Sequence, residues 1–393
     1  MKILYITLEN LSLHKGSVTH VKEIIGGLRM RGHLIGLIGS SSNLSEAADH
    51  FFNLEHRPGL IQKWFKLKRQ PYLISSFYLL LFLWKVLPQY DLIYARDFHT
   101  VIVAILPRLI YRKRLVFEMN GIAHEEIRLR GTSIRNKIFA YLIEKAEGFA
   151  SRHSNRIVTV TPQIADYLIQ KFHSDKTKIN LISNGVDTKK FYPIQDTNLL
   201  NEMRGKLGIT PTEKIITFVG NLAPWQGVEF IIKAAPKVIK EMKSSKFLII
   251  GDGILRGEYE REVDRLGLKP YFIFTGMVDY KQIPFYINLS DICVLPKQRL
   301  KSGYSPIKLY EYMACGKPII ASRVEGLELV ENEGIGRLSD PEDVEAFAET
   351  LLELLKDNQK RIDMGQKGLI VARERFDWAT KVAEIENVLT KVA

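Results

Sequence analysis

The chain reads as an α/β protein built from two Rossmann-like, doubly wound parallel-sheet domains. Two observations predict this: short apolar strands alternate with amphipathic stretches, and the alternation runs through twice. A length of 393 residues is also too great for one ordinary core. An apolar content of 46% with 25% charged residues excludes a disordered chain, and no repeat or low-complexity segment is present.

The elements follow in order. KILYIT predicts a first strand over 2–7, and Glu9 comes too early for a signal peptide. Residues 18–31 are amphipathic and end at Gly32, a helix with its stop signal. Further strands are predicted over 34–38, 91–95, 114–118 and 156–160, and in the second half over 215–219, 247–250, 271–275, 292–295 and 318–321. The polar segment 182–193, with its Asn184-Gly185 turn, marks the junction. Three parts result: 1–190, 191–375, and a separate amphipathic helix over 376–393. Ligands of open parallel sheets lie beyond the carboxyl ends of the strands, so a binding cleft is expected between the two domains.

Charge is uneven. Residues 1–190 carry 28 Lys and Arg against 15 Asp and Glu, whereas the rest carry 28 against 29, so the whole net charge of +12 arises in the first half. Such a half suits nucleic acid, an anionic membrane surface or a polyanionic substrate. Residues 63–69 (KWFKLKR) interleave basic and aromatic side chains, and 77–84 (FYLLLFLW) are wholly apolar. Together they resemble an interfacial helix on lipid headgroups, with a core helix at a domain face as the equal alternative. Lys85 and Pro88 end the run short of the roughly 18 to 20 apolar residues a span requires. Nucleic acid ranks last, because no stacking module or recognition helix is present. The two cysteines, Cys293 and Cys315, fall in a predicted strand and helix, which makes a disulfide framework improbable and a reducing compartment expected.

The chemistry concentrates in 302–322, SGYSPIKLYEYMACGKPIIAS. Ser305 is an N-cap type and Pro306 suits the first helical position, while Gly316 and Pro318 stop the helix after about three turns. The free N–H groups of Ile307 and Lys308, with the helix dipole and the Lys308 charge, form a phosphate site. Glu311, one turn on, is placed to accept from a sugar hydroxyl. The strand over 215–219 runs into GNLAPWQGVEF, and the next two strands end in Gly251-Asp252-Gly253 and Thr275-Gly276-Met277-Val278. Each is also an ordinary turn, but successive strand ends of one domain converge on one crevice. In the first domain Gly16-Ser17 follows the first strand without GxGxxG spacing, which argues against a dinucleotide site. Asp97, His99, Asn120, His124, Glu125 and Glu126 also follow strand ends. No HExxH, CxxC, GxSxG or P-loop lysine motif occurs, so metal ligation is not expected.

These pieces, in this order, resemble the retaining glycosyltransferases of family 4, which have the GT-B fold of two Rossmann-like domains facing across a cleft. The resemblance runs from Gly16 through YARDFHT (94–100), VFEMNG (116–121), SNGVDTKKF (183–191), VGNLAPWQGVEFII and IIGDG to 302–322 and ERFDW. It implies that the C-terminal domain binds a nucleotide-sugar, that the N-terminal domain binds the acceptor, and that the last helix crosses back. It implies a donor site of Gly16, Asn221, Gln226, Gly253, Arg256, Met277, Val278, Ser305, Pro306, Ile307, Lys308 and Glu311. Glu311 corresponds to the second glutamate of E-x7-E, which holds the ribose. Lys308, Asn120 and His124 are the implied catalytic residues. No cofactor or metal is implied beyond the donor substrate.

Four positions depart from the family. Gly303 stands where E-x7-E has its first glutamate, Asn221 and Gln226 replace an arginine and a lysine, and Asn120 replaces a frequent histidine. Lys308 and Arg256 are the expected replacements for the lost charge. The expected function is sugar transfer from a nucleoside-diphosphate sugar to an acceptor hydroxyl with retention, in polysaccharide or glycolipid synthesis. A lipid-linked glycan at the cytoplasmic membrane face is the expected acceptor. The alternative is a nucleotide-sugar-binding protein without turnover.

Overall fold

Both faces of each sheet are buried, which is why the strands read as near-continuous apolar runs. The computed structural model describes residues 1–12, 16–40, 48–53, 72–129 and 133–392. Met1–Ser183 together with Trp378–Ala393 form one unit, and Asn184–Asp377 form the other.

The first unit is a parallel sheet of β1 (Lys2–Asn10), β2 (Leu34–Ser40), β3 (His50–Asn53), β4 (Leu92–Arg96), β5 (Arg114–Met119), β6 (Arg156–Thr159) and β7 (Ile179–Leu181), in the order β3-β2-β1-β4-β5-β6-β7. The chain winds outward from β1 in one direction and from β4 in the other, so the order reverses between them. The sequence analysis did not foresee β3 or β7; they are edge strands of four and three residues with no apolar run. The helix predicted from Val18 begins at Gly16, and Gly32 follows it with φ at 85°. The C-terminal helix Trp378–Thr390 packs on helix Gly16–Met30 in this unit. Gly27 makes that approach possible, since a Cβ there would stand 2.5 Å from Val382 Cγ2. Glu386 pairs with His33 Nε2 at 2.5 Å and Arg31 Nε at 2.5 Å.

The second unit is a parallel sheet of β8 (Lys214–Val219), β9 (Ser245–Ile250), β10 (Phe272–Gly276), β11 (Ile292–Leu295), β12 (Ile319–Ser322) and β13 (Gly336–Ser339), in the order β10-β9-β8-β11-β12-β13. Its strand residues sort by period two. Ile215, Val219, Leu248, Ile250, Cys293 and Leu295 join one core, whereas Ile216, Phe218, Phe247, Ile249, Ile292 and Val294 join another. Cys293 and Cys315 are free and buried.

The apolar run 77–84 lies in helix Tyr72–Val86, where Leu79 and Leu83 are buried while Phe77 and Leu81 are exposed. The basic segment 63–69 lies outside the described residues. Among the described residues no helix is long and apolar enough to cross a membrane.

Candidate functional site

In the second unit the winding reverses between β8 and β11, the place beyond which open parallel sheets hold their ligands. Backbone hydrogen bonds fasten the loops after β8, β9 and β10 to one another: Gly220 N to Ile250 O at 2.9 Å, Leu222 N to Asp252 O at 2.9 Å, and Gly251 N to Gly276 O at 3.0 Å. Gly253 packs so tightly on this frame that a Cβ would meet Asn221 Oδ1 and Leu222 O at 2.5 Å. Gly227 caps helix Val228–Glu241 with φ at 70°, and a Cβ on it would lie 1.5 Å from Pro296 O. Only glycine lets the β8 loop lie against the chain leaving β11.

The phosphate-type helix is Ile307–Ala314, one residue shorter at its start than the sequence implied. Pro306 is the N-cap, with extended backbone at φ −77° and ψ 123°, and not the first helical residue. Ser305 does not cap. Its Oγ accepts from Asn184 N at 3.0 Å and its carbonyl from Asn184 Nδ2 at 2.6 Å, which fixes the approach to the helix. The N–H groups of Ile307 and Lys308 have no backbone acceptor among the described residues.

Lys308 and Glu311 are each other's partners, which corrects the picture of a free cation beside a free carboxylate. Glu311 is fully buried, accepting from Lys308 Nζ at 2.5 Å and from Tyr280 Oη at 2.9 Å, while Lys308 Nζ also lies 5.4 Å from the Tyr280 ring centre. Arg256 is likewise engaged, with Nε on Glu260 at 2.8 Å and Nη1 3.5 Å from Asp252. Met277 is exposed and Val278 packs against the core. Asn221 is exposed at the end of β8.

The cation that sequence reasoning missed is Lys297, two residues beyond β11. It is 6% exposed, and its Nζ donates to Gln226 Oε1 and lies 5.6 Å from the centre of the Tyr304 ring. Burial pushes its ammonium down to about 7. The signal was available: a lysine directly after the wholly apolar β11 and Pro296 emerges at the reversal point of the sheet.

The first unit has its own polar cluster at the corresponding reversal, beyond β1, β4 and β5. Glu118 is fully buried, with His20 Nε2 at 2.6 Å, Asn120 Nδ2 at 2.6 Å and Arg96 Nε at 3.7 Å. Burial alone would push its carboxyl up; the charge and hydrogen bond of His20, with Arg96 and Asn120, outweigh that and hold it at about 2. Arg96 Nη1 also donates to Ser17 O at 2.8 Å, tying β4 to the start of helix Gly16–Met30. Asp97 follows with φ at 79° and ψ at 143°, a backbone that non-glycine residues rarely adopt. Asn120 is thus oriented by Glu118. The His99 ring lies tilted beside that of Phe98, and burial lowers its pKa.

His124 is corrected more sharply. It is 2% exposed, bonded through Nδ1 to Glu147 Oε2 at 2.8 Å, with Glu125 3.4 Å from Nε2 and the Tyr167 ring alongside. It stands on helix Ala123–Leu129 with its side chain buried inside the unit. Gly16 is exposed as the first residue of its helix, not a loop residue, and the side chain of Glu126 lies outside the described set.

Comparison with known proteins places both units. Residues 14–190 match the family described as Glycosyltransferase Family 4, and residues 201–369 match Glycosyl transferases group 1. Spore coat protein SA of Bacillus subtilis is 32% identical over 275 residues, 66% of this chain and 71% of that protein. The UDP-Gal:alpha-D-GlcNAc-diphosphoundecaprenol alpha-1,3-galactosyltransferase of Escherichia coli is 29% identical over 293 residues, 72% of each. The crystal structure of Anabaena Alr3699/HepE in complex with UDP and glucose superposes with a TM-score of 0.78 at 20% identity, covering all of both chains, which is a likeness of fold. With a family 4 domain in its first unit and a group 1 domain in its second, the chain belongs to the GT-B glycosyltransferases of the family 4 type.

Proposed function

We propose that the protein transfers a sugar, with retention, from a nucleoside-diphosphate sugar to an acceptor hydroxyl in polysaccharide or glycolipid synthesis. The observation that carries this reading is the start of helix Ile307–Ala314, where two unengaged N–H groups adjoin a reversal-point crevice framed by glycine loops. As the glycosidic bond breaks, negative charge grows on the diphosphate, and fixed N–H dipoles stabilise it without reorganising. A phosphate oxygen takes the acceptor's proton, so no protein nucleophile is required. Gly303 supports a site that works without the first glutamate of E-x7-E, because its φ of 62° suits glycine and strains any residue with a Cβ. The relative named for UDP-galactose transfer supports a nucleotide-sugar donor. Glu311 is the ribose acceptor in this reading, reached by exchanging its Tyr280 or Lys308 bond for a hydroxyl.

The acceptor is a lipid-linked glycan reached from an anionic bilayer surface. Helices Tyr72–Val86, Phe98–Ile110 and Ile134–Arg152 lie side by side and expose Phe77, Leu81, Leu106, Leu109, Ile138 and Leu142. Lys85, Arg112, Lys113, Lys137 and Lys145 stand on or next to the same helices. Apolar side chains with a basic flank match the chemistry of an anionic lipid surface.

Thermal-shift screening with UDP, GDP and ADP, followed by a transfer assay with the matching sugar donors, tests the reading. Stabilisation with turnover unaffected by EDTA is expected. Stabilisation without hydrolysis or transfer would leave a nucleotide-sugar-binding protein. Co-sedimentation with phosphatidylglycerol vesicles, reduced by salt, tests the surface; no sedimentation at low salt would refute it.

A further inference from the structure

We infer that Lys297, acting through the side-chain amide of Gln226, is the cation that receives the donor's distal phosphate. This assignment rests on the nucleotide-sugar reading above and names a group in its site that replaces the missing lysine at position 226.

The placement comes first. β8 and β11 are the neighbours at which the winding reverses, and Gln226 and Lys297 leave the sheet from those two strands. Gly227 and Pro296 press these segments together, the backbone carbonyl of Pro296 filling the space a Cβ on Gly227 would need. Gln226 and Lys297 are the immediate chain neighbours of that contact, so the backbone brings them together and Nζ donates to Oε1.

Charge is the second consideration. Lys308 sits on Glu311, Arg256 on Glu260 and Asp252, and Arg299 on Asp340. Lys297 has no carboxylate partner among the described residues; its contacts are a neutral amide and an aromatic ring. A buried ammonium without a counterion destabilises the fold, and a purely structural role would be filled better by Met or Leu. The absent counterion is supplied by an anionic ligand.

Gln226 explains how a buried cation reaches that ligand. Its Oε1 is committed to Lys297, which directs the Nε2 donors the other way, and these have no protein acceptor among the described residues. The amide is polarised by the ammonium at one end and presents two N–H groups at the other. Lysine and glutamine together therefore offer charge and directed donors where one exposed lysine would offer a mobile charge alone. No bond is made or broken by the pair; it balances the charge that grows on the leaving diphosphate.

The test is calorimetric titration of wild type, Lys297→Met, Lys297→Arg and Lys297→Met/Gln226→Lys with UDP and with UMP. Lys297→Met is expected to weaken UDP binding by about tenfold to a hundredfold, the range of a charge-assisted bond, and UMP much less. Lys297→Arg should keep part of the affinity, and Gln226→Lys should restore it in the Met background. Thermal unfolding of Lys297→Met at or above the wild-type temperature shows that folding is intact. UDP affinity unchanged in Lys297→Met, or equal losses for UDP and UMP, would overturn the assignment. If wild type binds UDP but the double variant shows no recovery, the relay through Gln226 is wrong. Wild type binding none of UDP, GDP and ADP would overturn the donor reading first and this assignment with it.

Discussion

Replacing Lys297 by Met should make the protein more stable near neutral pH and progressively less advantaged as the solution becomes alkaline. In the folded protein burial holds this ammonium at about 7, against an ordinary 10.5. The unfolded chain keeps the proton up to pH 10.5 and the folded chain releases it near 7, so between these values the unfolded state binds more protons. Stability therefore climbs with pH across that window. At 1.36 kcal/mol per pH unit the full difference is about 5 kcal/mol, present as a penalty below pH 7 and gone by about pH 10.5. The groups around the ammonium do not counter this, since among the described residues no carboxylate pairs with it and burial pushes the Tyr304 phenol up. Urea unfolding of wild type and Lys297→Met from pH 6 to pH 10 measures the difference, and all other titrations cancel in it. A difference that stays flat over that range would refute the claim that a charged lysine is buried here without a counterion.

Glu118 behaves in the opposite sense. Its carboxyl is lowered from 4.5 to about 2, so its contribution of about 3 kcal/mol is present above pH 4.5 and lost as pH falls towards 2. Wild type and Glu118→Gln should converge in stability over that interval, as followed by circular dichroism during acid titration. Gly27→Ala should destabilise the first unit by about 1–3 kcal/mol through overpacking against Val382, and Val382→Ala should recover most of it in thermal unfolding. Glu311→Ala removes the buried partner of a part-exposed lysine and leaves Tyr280 Oη without its acceptor, so it should cost about 1–3 kcal/mol in the second unit while weakening donor binding. Lys308→Ala should slow turnover more than it weakens binding; unchanged donor affinity in Glu311→Ala would sink the ribose role.

The interior strands were legible because each is a short apolar run bounded by turn residues, and Ile292–Leu295 was located to the residue. The edges were not. β3, β7 and β13 have three or four residues, and pairing to a neighbouring strand, not local sequence, makes them strands. The start of helix Ile307–Ala314 was legible to within one residue from Pro306, but its cap was not, since Pro306 stands where Ser305 was expected. Site residues were illegible where a partner distant in sequence decides. The Lys308–Glu311 pair is the exception, since an i, i+3 spacing on one helix brings a lysine and a glutamate together by itself. His124 followed a strand end as a catalytic base would, yet Glu147, 23 residues on, claims it. Lys297 gave the converse error: it meets Gln226 across 71 residues, a distance in sequence that no local pattern spans.

The seating of helix Trp378–Thr390 on helix Gly16–Met30 sets an order on synthesis. As the chain leaves the ribosome, the first sheet can assemble, but the surface around His20, Gly27 and His33 waits until Trp378, Val382 and Glu386 have been made. The entire second unit emerges in that interval. For that time this surface of the nascent first unit lacks the helix that covers it, and at that stage aggregation or chaperone capture competes with folding.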